Sequence, residues 1–206
     1  MPYAPEHKLQ TRARIVECGR MLFNRHGYDN VTIDMVMDAA SLTRGGFYHH
    51  FSSKQDLFAA AVSSFLMGRG ARWRAEAGVD PVDPALADAA NMLRSYLSPD
   101  HLFDVEGQCP MIALPSDVGR AAPAVRDAYQ HLLKAMVGLY ERAIPAGNGD
   151  RRATALALSA LSVGGMVLAR TISDPALGRE VREAALARAL EMLAPSSDLH
   201  SSSPSS

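Results

Sequence analysis

The chain has little of what marks several function classes. Its two cysteines, Cys18 and Cys109, stand far apart with no Cys-x-x-Cys or Cys/His spacing. That excludes a disulfide framework and a structural zinc site, and leaves two free thiols. Charge of either sign is not in excess, with 21 Lys and Arg against 22 Asp and Glu. Bulk composition therefore announces no polyanion, and any nucleic-acid binding has to rest on where the cations sit. The first residues mix Pro2, Glu6, Lys8, Arg12 and Arg14 without an apolar run, so neither a secretory signal nor an anchor is expected there, and the chain is expected to be cytoplasmic. One uncharged stretch, 153–169, is bracketed by Arg151, Arg152 and Arg170 and imitates a membrane span. It falls short of the roughly 20 apolar residues a bilayer needs. It also contains Thr154, Ser159, Ser162 and the Gly164-Gly165 pair without an aromatic belt, so a helix buried against protein is expected, with no membrane partner. No strand-period run or internal repeat is present, nor a Gly-rich phosphate loop, a nucleophile elbow, a His-Glu-x-x-His or a paired-carboxylate arrangement. No catalytic site, cofactor or metal is expected.

What is present is helical periodicity. Residues 8–26 keep Ile15, Leu22 and Phe23 on one stripe, with Cys18 and Gly19 between them, and Gly27 is expected to end that helix. Thr32 is a good N-cap for 33–40, whose apolar positions are Ile33, Val36 and Met37. A turn at Ser41 and Leu42 leads to a second short helix at 43–50, and Ser53 can cap a third carrying Leu57, Phe58, Ala61, Val62 and Phe65. Gly78, Pro81 and Pro84 make 76–84 a loop. A helix resumes over 85–97, 98–107 is loop-like, and 123–144 is a long amphipathic helix stopped by Pro145, Gly147 and Gly149. Segments 150–173 and 177–193 form a final helix pair separated by Asp174-Pro175. In the first of them Ala153, Ala157, Ala160 and Gly164 draw a line of small side chains suited to a helix-helix interface. The tail from Pro195 is Ser-rich and is expected to be disordered. The fold class is all-α.

The stretch that carries function runs from Thr32 through Ala39-Ala40 to Thr43-Arg44-Gly45-Gly46-Phe47-Tyr48-His49-His50-Phe51 and Ser53-Lys54. A recognition helix has to be short, to expose polar groups near its start and to anchor its back on the preceding helices. Phe47 and Phe51, four apart, can face the core with Leu22 and Phe23, which turns Arg44, Gly45, Tyr48 and His49 outward. Gly45 and Gly46 each cost about 1 kcal/mol of helix propensity against Ala, an odd choice unless the backbone must approach something closely, such as a duplex. Lys54, in the first turn of the following helix, would hold a phosphate together with the backbone N–H groups there, and Thr32 could do the same from its own helix start. Taken singly these residues have ordinary readings: a His-His pair is commonly a solvated surface pair, and Phe47 and Tyr48 are commonly core.

The run Thr11-Arg12, Ile15, Phe23, Gly27-Tyr28, Thr32, Ala39-Ala40, Gly45, Phe47-Tyr48, His50-Phe51 and Lys54 resembles the TetR/AcrR family of transcriptional regulators. The resemblance covers about a quarter of the chain. It implies an all-helical homodimer with a three-helix helix-turn-helix head at 8–56 and a helical effector-binding and dimerisation domain at 57–194, ahead of the Ser-rich tail at 195–206. It also implies double-stranded operator DNA and a small-molecule effector as partners, with dimerisation through the last two helices. Carried over by position, it implies base or phosphate contacts for Arg44, Gly45, Tyr48 and His49 and phosphate contacts for His50, Lys54 and Thr32, with Thr43 and Gly46 in the same interface. Where the family usually has Gly in the turn, this chain has Ser41, so a left-handed residue there would carry strain. The head is only weakly cationic, so affinity has to depend on few contacts.

Two further features belong to the second half. Gly107-Gln108-Cys109-Pro110 puts a cysteine where a proline favours the first helical position. A helix N-terminus stabilises a thiolate, so Cys109 is a candidate electrophile or redox sensor, with a small buried core thiol as the alternative. The segment also resembles a subset of the family in which a cysteine opens the sixth helix, and Pro115 should kink or shorten that helix. An effector pocket is expected from Met92, Tyr96, Phe103, Met111, Tyr129, Leu133, Met136 and Met166, a flexible apolar lining that suits a hydrophobic or aromatic molecule; each residue is equally well explained as core. The competing function is a ligand-binding helical protein or an enzyme whose helix-turn-helix no longer works.

Overall fold

The computed structural model describes residues 5–146 and 149–194. Both the expected disordered tail and Gly147 lie outside the described residues. Helix α1, Pro5–Asn30, buries Ile15 and Phe23 completely, and Cys18 is half-buried on the same stripe. Gly27, at φ 76 and ψ 167, leaves helical geometry and ends the regular part of this helix as expected; one further short turn follows the kink, to Asn30. A β-carbon on Gly27 would sit 3.4 Å from the Asp117 carboxylate. Helix α2, Ile33–Ala39, is capped by the Thr32 side chain, which accepts from the Met35 N–H. The turn residue Ser41 has φ 54, the left-handed conformation expected of it.

The next element, Arg44–His49, is a 3-10 helix. Six residues that include two glycines hold too little intrinsic helicity for a stable α-turn, and the tighter i→i+3 closure takes over. The Gly46 N–H donates to the Thr43 carbonyl at 3.0 Å. Phe47 and Phe51 anchor the element from below, both buried, with ring centroids 5.5 Å apart. Helix α3, Lys54–Ser64, capped by Ser53, buries Leu57, Phe58, Ala61 and Val62. The expected division at 56/57 falls inside α3, which packs on α1 with one face and on the body's long helix with another. Head and body therefore share one helix and one continuous core.

The body begins with α4, Arg69–Glu76, and α5, Leu86–Tyr96. The segment 98–107, expected as loop, contains a short helix, α6, Pro99–Phe103, because Ser98 caps it and Pro99 takes the first position. Pro115 divides the next helical stretch into α7, Pro110–Ala113, and α8, Pro115–Arg120. Helix α9, Pro123–Ala143, and the pair α10, Arg151–Thr171, and α11, Pro175–Leu193, complete the fold. A β-carbon on Gly165 would lie 2.7 Å from the Ala185 β-carbon, so this glycine makes the close crossing of α10 and α11. The small-residue line points elsewhere: Ala153 and Ala160 are exposed, and Ala157 and Gly164 half-buried. With Leu161 and Leu168 of α10 and Val181 and Ala184 of α11, part of it forms an apolar surface groove. Helix α10 is long and apolar enough to cross a membrane, and 33% of its apolar window is buried inside the chain; its inner side packs on α9 and α11.

Candidate nucleic-acid interface and effector cavity

The 3-10 helix presents one face that the fold does not use. A β-carbon on Gly45 would meet nothing within 4 Å, so no intramolecular contact requires glycine there. Tyr48 is 60% exposed, resting edge-on against Phe47 at 5.3 Å, and Thr43, Arg44 and His49 are exposed with it. Gly46 is half-buried, because Met37 Cε approaches its β-carbon position to 3.5 Å. Arg44 extends back to Asp34 of α2, with Nη1 2.5 Å from Oδ2. Such an exposed pair adds little stability, but it fixes where the guanidinium starts from. The Thr32 hydroxyl spends a lone pair on its cap and keeps its O–H to donate.

His50 is half-buried and its Nδ1 makes no hydrogen bond among the described residues. Burial holds its pKa below the ordinary value, helped by the nearby positive charges of Lys8, His49 and Arg12. Arg12 also lies over the Phe51 ring at 4.7 Å. The start of α1 therefore brings Lys8 and Arg12 to the recognition element, a placement no local pattern could reveal.

The Lys54 side chain also has a role within the fold. Its ammonium donates to the Tyr28 carbonyl at 2.8 Å and the Val31 carbonyl at 2.9 Å, and sits 4.1 Å from the Tyr28 ring centroid. The charge thus closes the end of α1 onto α3. The third ammonium N–H and the backbone N–H groups at the start of α3 remain for the phosphate contact expected of this position.

In the body, a cavity of about 350 Å³ opens between the segment that follows α3 and helices α4, α5, α7 and α9. Of the eight residues expected to line a pocket, Met92, Tyr96, Met111 and Met136 do so. The other four lie elsewhere. Phe103 is 77% exposed on α6, and Met166 is fully buried in α10. Tyr129 donates its hydroxyl to the Met111 carbonyl at 3.2 Å behind the wall. Leu133 is turned away, because the α9 residues facing the cavity are Leu132, Ala135, Met136 and Leu139, spaced along one helical stripe. The sequence reading missed Phe65, Leu66 and Met67 beyond α3, and also Arg74 and Arg142.

Cys109 lines this cavity too, but not as an acidic thiolate. Burial pushes its pKa up to about 11. Its side chain caps nothing, and the helix it opens has four residues, too few for an appreciable dipole. The buried-thiol alternative describes this site.

A buried polar network runs from the cavity to the head. The Cys109 N–H donates to His101 Nε2 at 3.1 Å, which fixes the tautomer whose Nδ1–H meets the Tyr96 carbonyl at 2.8 Å. Burial holds His101 neutral, with its pKa lowered to about 3. Gln108, next in chain, gives its amide to the Leu102 carbonyl at 2.5 Å and receives Arg170 on Oε1 at 2.6 Å. Arg170 also reaches the Asn24 carbonyl of α1 at 3.0 Å. From the α1 side, Asn24 donates to the Gln108 carbonyl at 2.8 Å, and Arg20 to the Glu106 carbonyl at 2.6 Å.

Residues 15–61 match the family profile described as bacterial regulatory proteins, tetR family. The transcriptional regulator TtgR of Pseudomonas putida is 33% identical over 79 residues, 38% of either chain. The transcriptional repressor AcnR of Corynebacterium glutamicum is 35% identical over 57 residues, 28% of this chain and 30% of AcnR. The matched stretch thus spans less than two-fifths of the length of these relatives. Over the whole fold, the reduced form of NemR from Escherichia coli superposes with a TM-score of 0.71 at 20% identity, covering 91% of this chain and 99% of NemR. The N-terminal helices thus match the tetR-family profile, and the all-helical fold of the whole chain is that of NemR.

Proposed function

We propose that this chain, with its TetR-family head, is a cytoplasmic, homodimeric transcriptional repressor that leaves a palindromic operator when a small molecule occupies the body cavity. The observation that carries the reading is the unused face of the 3-10 helix. Gly45 faces open space, and Arg44, Tyr48 and His49 are exposed on a rigid base of buried Phe47 and Phe51. A fold gains nothing from a glycine and a large exposed aromatic at such a place; a major groove would use both.

Arg44, Gly45, Tyr48 and His49 would meet bases or phosphates, with Thr43 and Gly46 beside them. Thr32, His50 and the backbone at Lys54 would meet phosphates. The groove of small and branched apolar residues on α10 and α11 supports dimerisation through that pair, which would set the two recognition elements one helical turn of DNA apart, about 34–36 Å, or somewhat wider. The cavity walls share Tyr96 and Cys109 with the network reaching Asn24 and Arg20. A ligand that repositions these residues has a route to the head, and shifts the population toward head spacings that no longer fit.

The test is a gel shift with the DNA upstream of the protein's own gene. Retardation at low salt is expected, together with its loss in Arg44→Ala at unchanged thermal stability. No retardation of the parent protein at low salt would refute the proposal.

A further inference from the structure

The cavity is lined almost wholly by apolar side chains, and among the described residues no aspartate or glutamate lines it, yet it includes two arginines. Arg74 is half-buried and donates Nη2 to the Leu66 carbonyl at 2.7 Å; Arg142 is exposed and donates Nη2 to the Pro81 carbonyl at 3.0 Å. Each guanidinium is therefore oriented by a neutral carbonyl while its charge stays uncompensated. Among the described residues neither forms an ion pair. Burial without a counterion lowers the Arg74 pKa, a cost that an anion would relieve. A third group is also unfulfilled. The Tyr96 hydroxyl is fully buried and, among the described residues, has no oxygen or nitrogen partner; it faces the Cys109 thiol, a weak acceptor, with Tyr129 and Tyr140 nearby. Exposure falls from Arg142 through Arg74 to Tyr96, which gives the cavity a cationic mouth, an apolar middle and a single deep hydroxyl donor.

Resting on the reading of this cavity as the effector site, we infer that it binds an amphipathic monocarboxylate. The carboxylate meets Arg74 and Arg142, the apolar body lies along Met92, Met111 and Met136, and an oxygen at the far end accepts from Tyr96. The polarity of the walls matches such a molecule end to end. An uncharged hydrocarbon would leave the half-buried Arg74 without a counterion and the buried Tyr96 hydroxyl without a strong acceptor.

The experiment is calorimetric titration of the full chain with octanoate against octanamide, and with para-hydroxyphenylpropanoate against phenylpropanoate. The acid is expected to bind about ten- to hundred-fold more tightly than its amide. The double variant Arg74→Gln/Arg142→Gln is expected to bring the two within about two-fold while retaining amide binding, which reports on its fold, and the double lysine variant to restore most of the preference. Tyr96→Phe is expected to abolish the preference for the para-hydroxyl compound alone. Equal affinity for acid and amide, or no binding of either acid, overturns the inference. Binding of the amide alone overturns it while leaving the cavity a ligand site. Binding of the acids as expected, with no loss of operator binding, upholds the inference and overturns the effector reading instead.

Discussion

Replacing Lys54 by methionine separates the two roles this residue could play. The ammonium makes two charge-assisted hydrogen bonds, to the carbonyls of Tyr28 and Val31, from a half-buried position. Such bonds are each worth about 1.5–3 kcal/mol. Water can replace part of that at a half-buried site, and the methionine stem keeps some packing on Tyr28, so the net loss is about 2 kcal/mol. Because the bonds hold α1 to the start of α3, the loss should be confined to the head. Hydrogen exchange of amides in α1–α3 should accelerate by about 30-fold, with α9–α11 unchanged. The salt dependence of operator binding is the second readout. A lysine on a phosphate contributes about 0.9 to the log–log slope, hence about 2 for the dimer. A clamp contributes nothing, so Lys54→Met should bind more weakly with the slope of the parent. A slope reduced by about 2 with head exchange unchanged would refute the clamp and return Lys54 to the phosphate backbone.

Three other perturbations test separate parts of the structure. Ser41→Gly should relieve the left-handed strain at φ 54 and raise stability by about 1 kcal/mol, seen as a melting temperature about 2–4 °C higher; no rise would mean that the turn stores no strain. His101 is held neutral when folded, with a pKa of about 3, against an ordinary value of 6.5. Its contribution is fully present above pH 6.5 and is lost as pH falls toward 3, at up to about 1.4 kcal/mol per pH unit. Urea titrations of His101→Gln between pH 4 and 6.5 should therefore show a flatter pH dependence than the parent, and parallel curves would contradict the assignment. Leu168→Glu places a charge on a side chain 53% exposed in the α10–α11 groove. Sedimentation should then find a monomer, and a dimer of unchanged affinity would exclude this face as the interface.

Local rules carried the head a long way. The caps at Thr32 and Ser53, the strained turn at Ser41 and the division of inward Phe47 and Phe51 from outward Arg44 and Tyr48, like the break at Pro115 in the body, all depend on backbone geometry and spacing within a few residues. These are short-range interactions, and a sequence displays them directly. The kind of helix at the recognition element was less legible. Whether Gly45-Gly46 closes as an α- or a 3-10 turn depends on how Phe47 and Phe51 seat in a core built from distant segments.

Where the argument depended on which residues meet across the chain, the tertiary structure decided. Arg12 and Lys8 reach His50 only because the start of α1 passes the recognition element, and the Lys54 ammonium is held by two carbonyls more than 20 residues away in sequence. Four expected pocket residues turned out to lie outside the cavity, and Arg74 and Arg142 entered it, because every apolar residue on a body helix looks equally eligible until the neighbouring helices fix its rotation. Cys109 marks the limit most clearly. Its position before a proline placed it at a helix start, as the sequence alone determined, but only the surrounding side chains decided that it would be buried and its thiol protonated. Helix ends are set by neighbours in the chain, whereas the cost of a buried charge is set by whatever the fold packs around it.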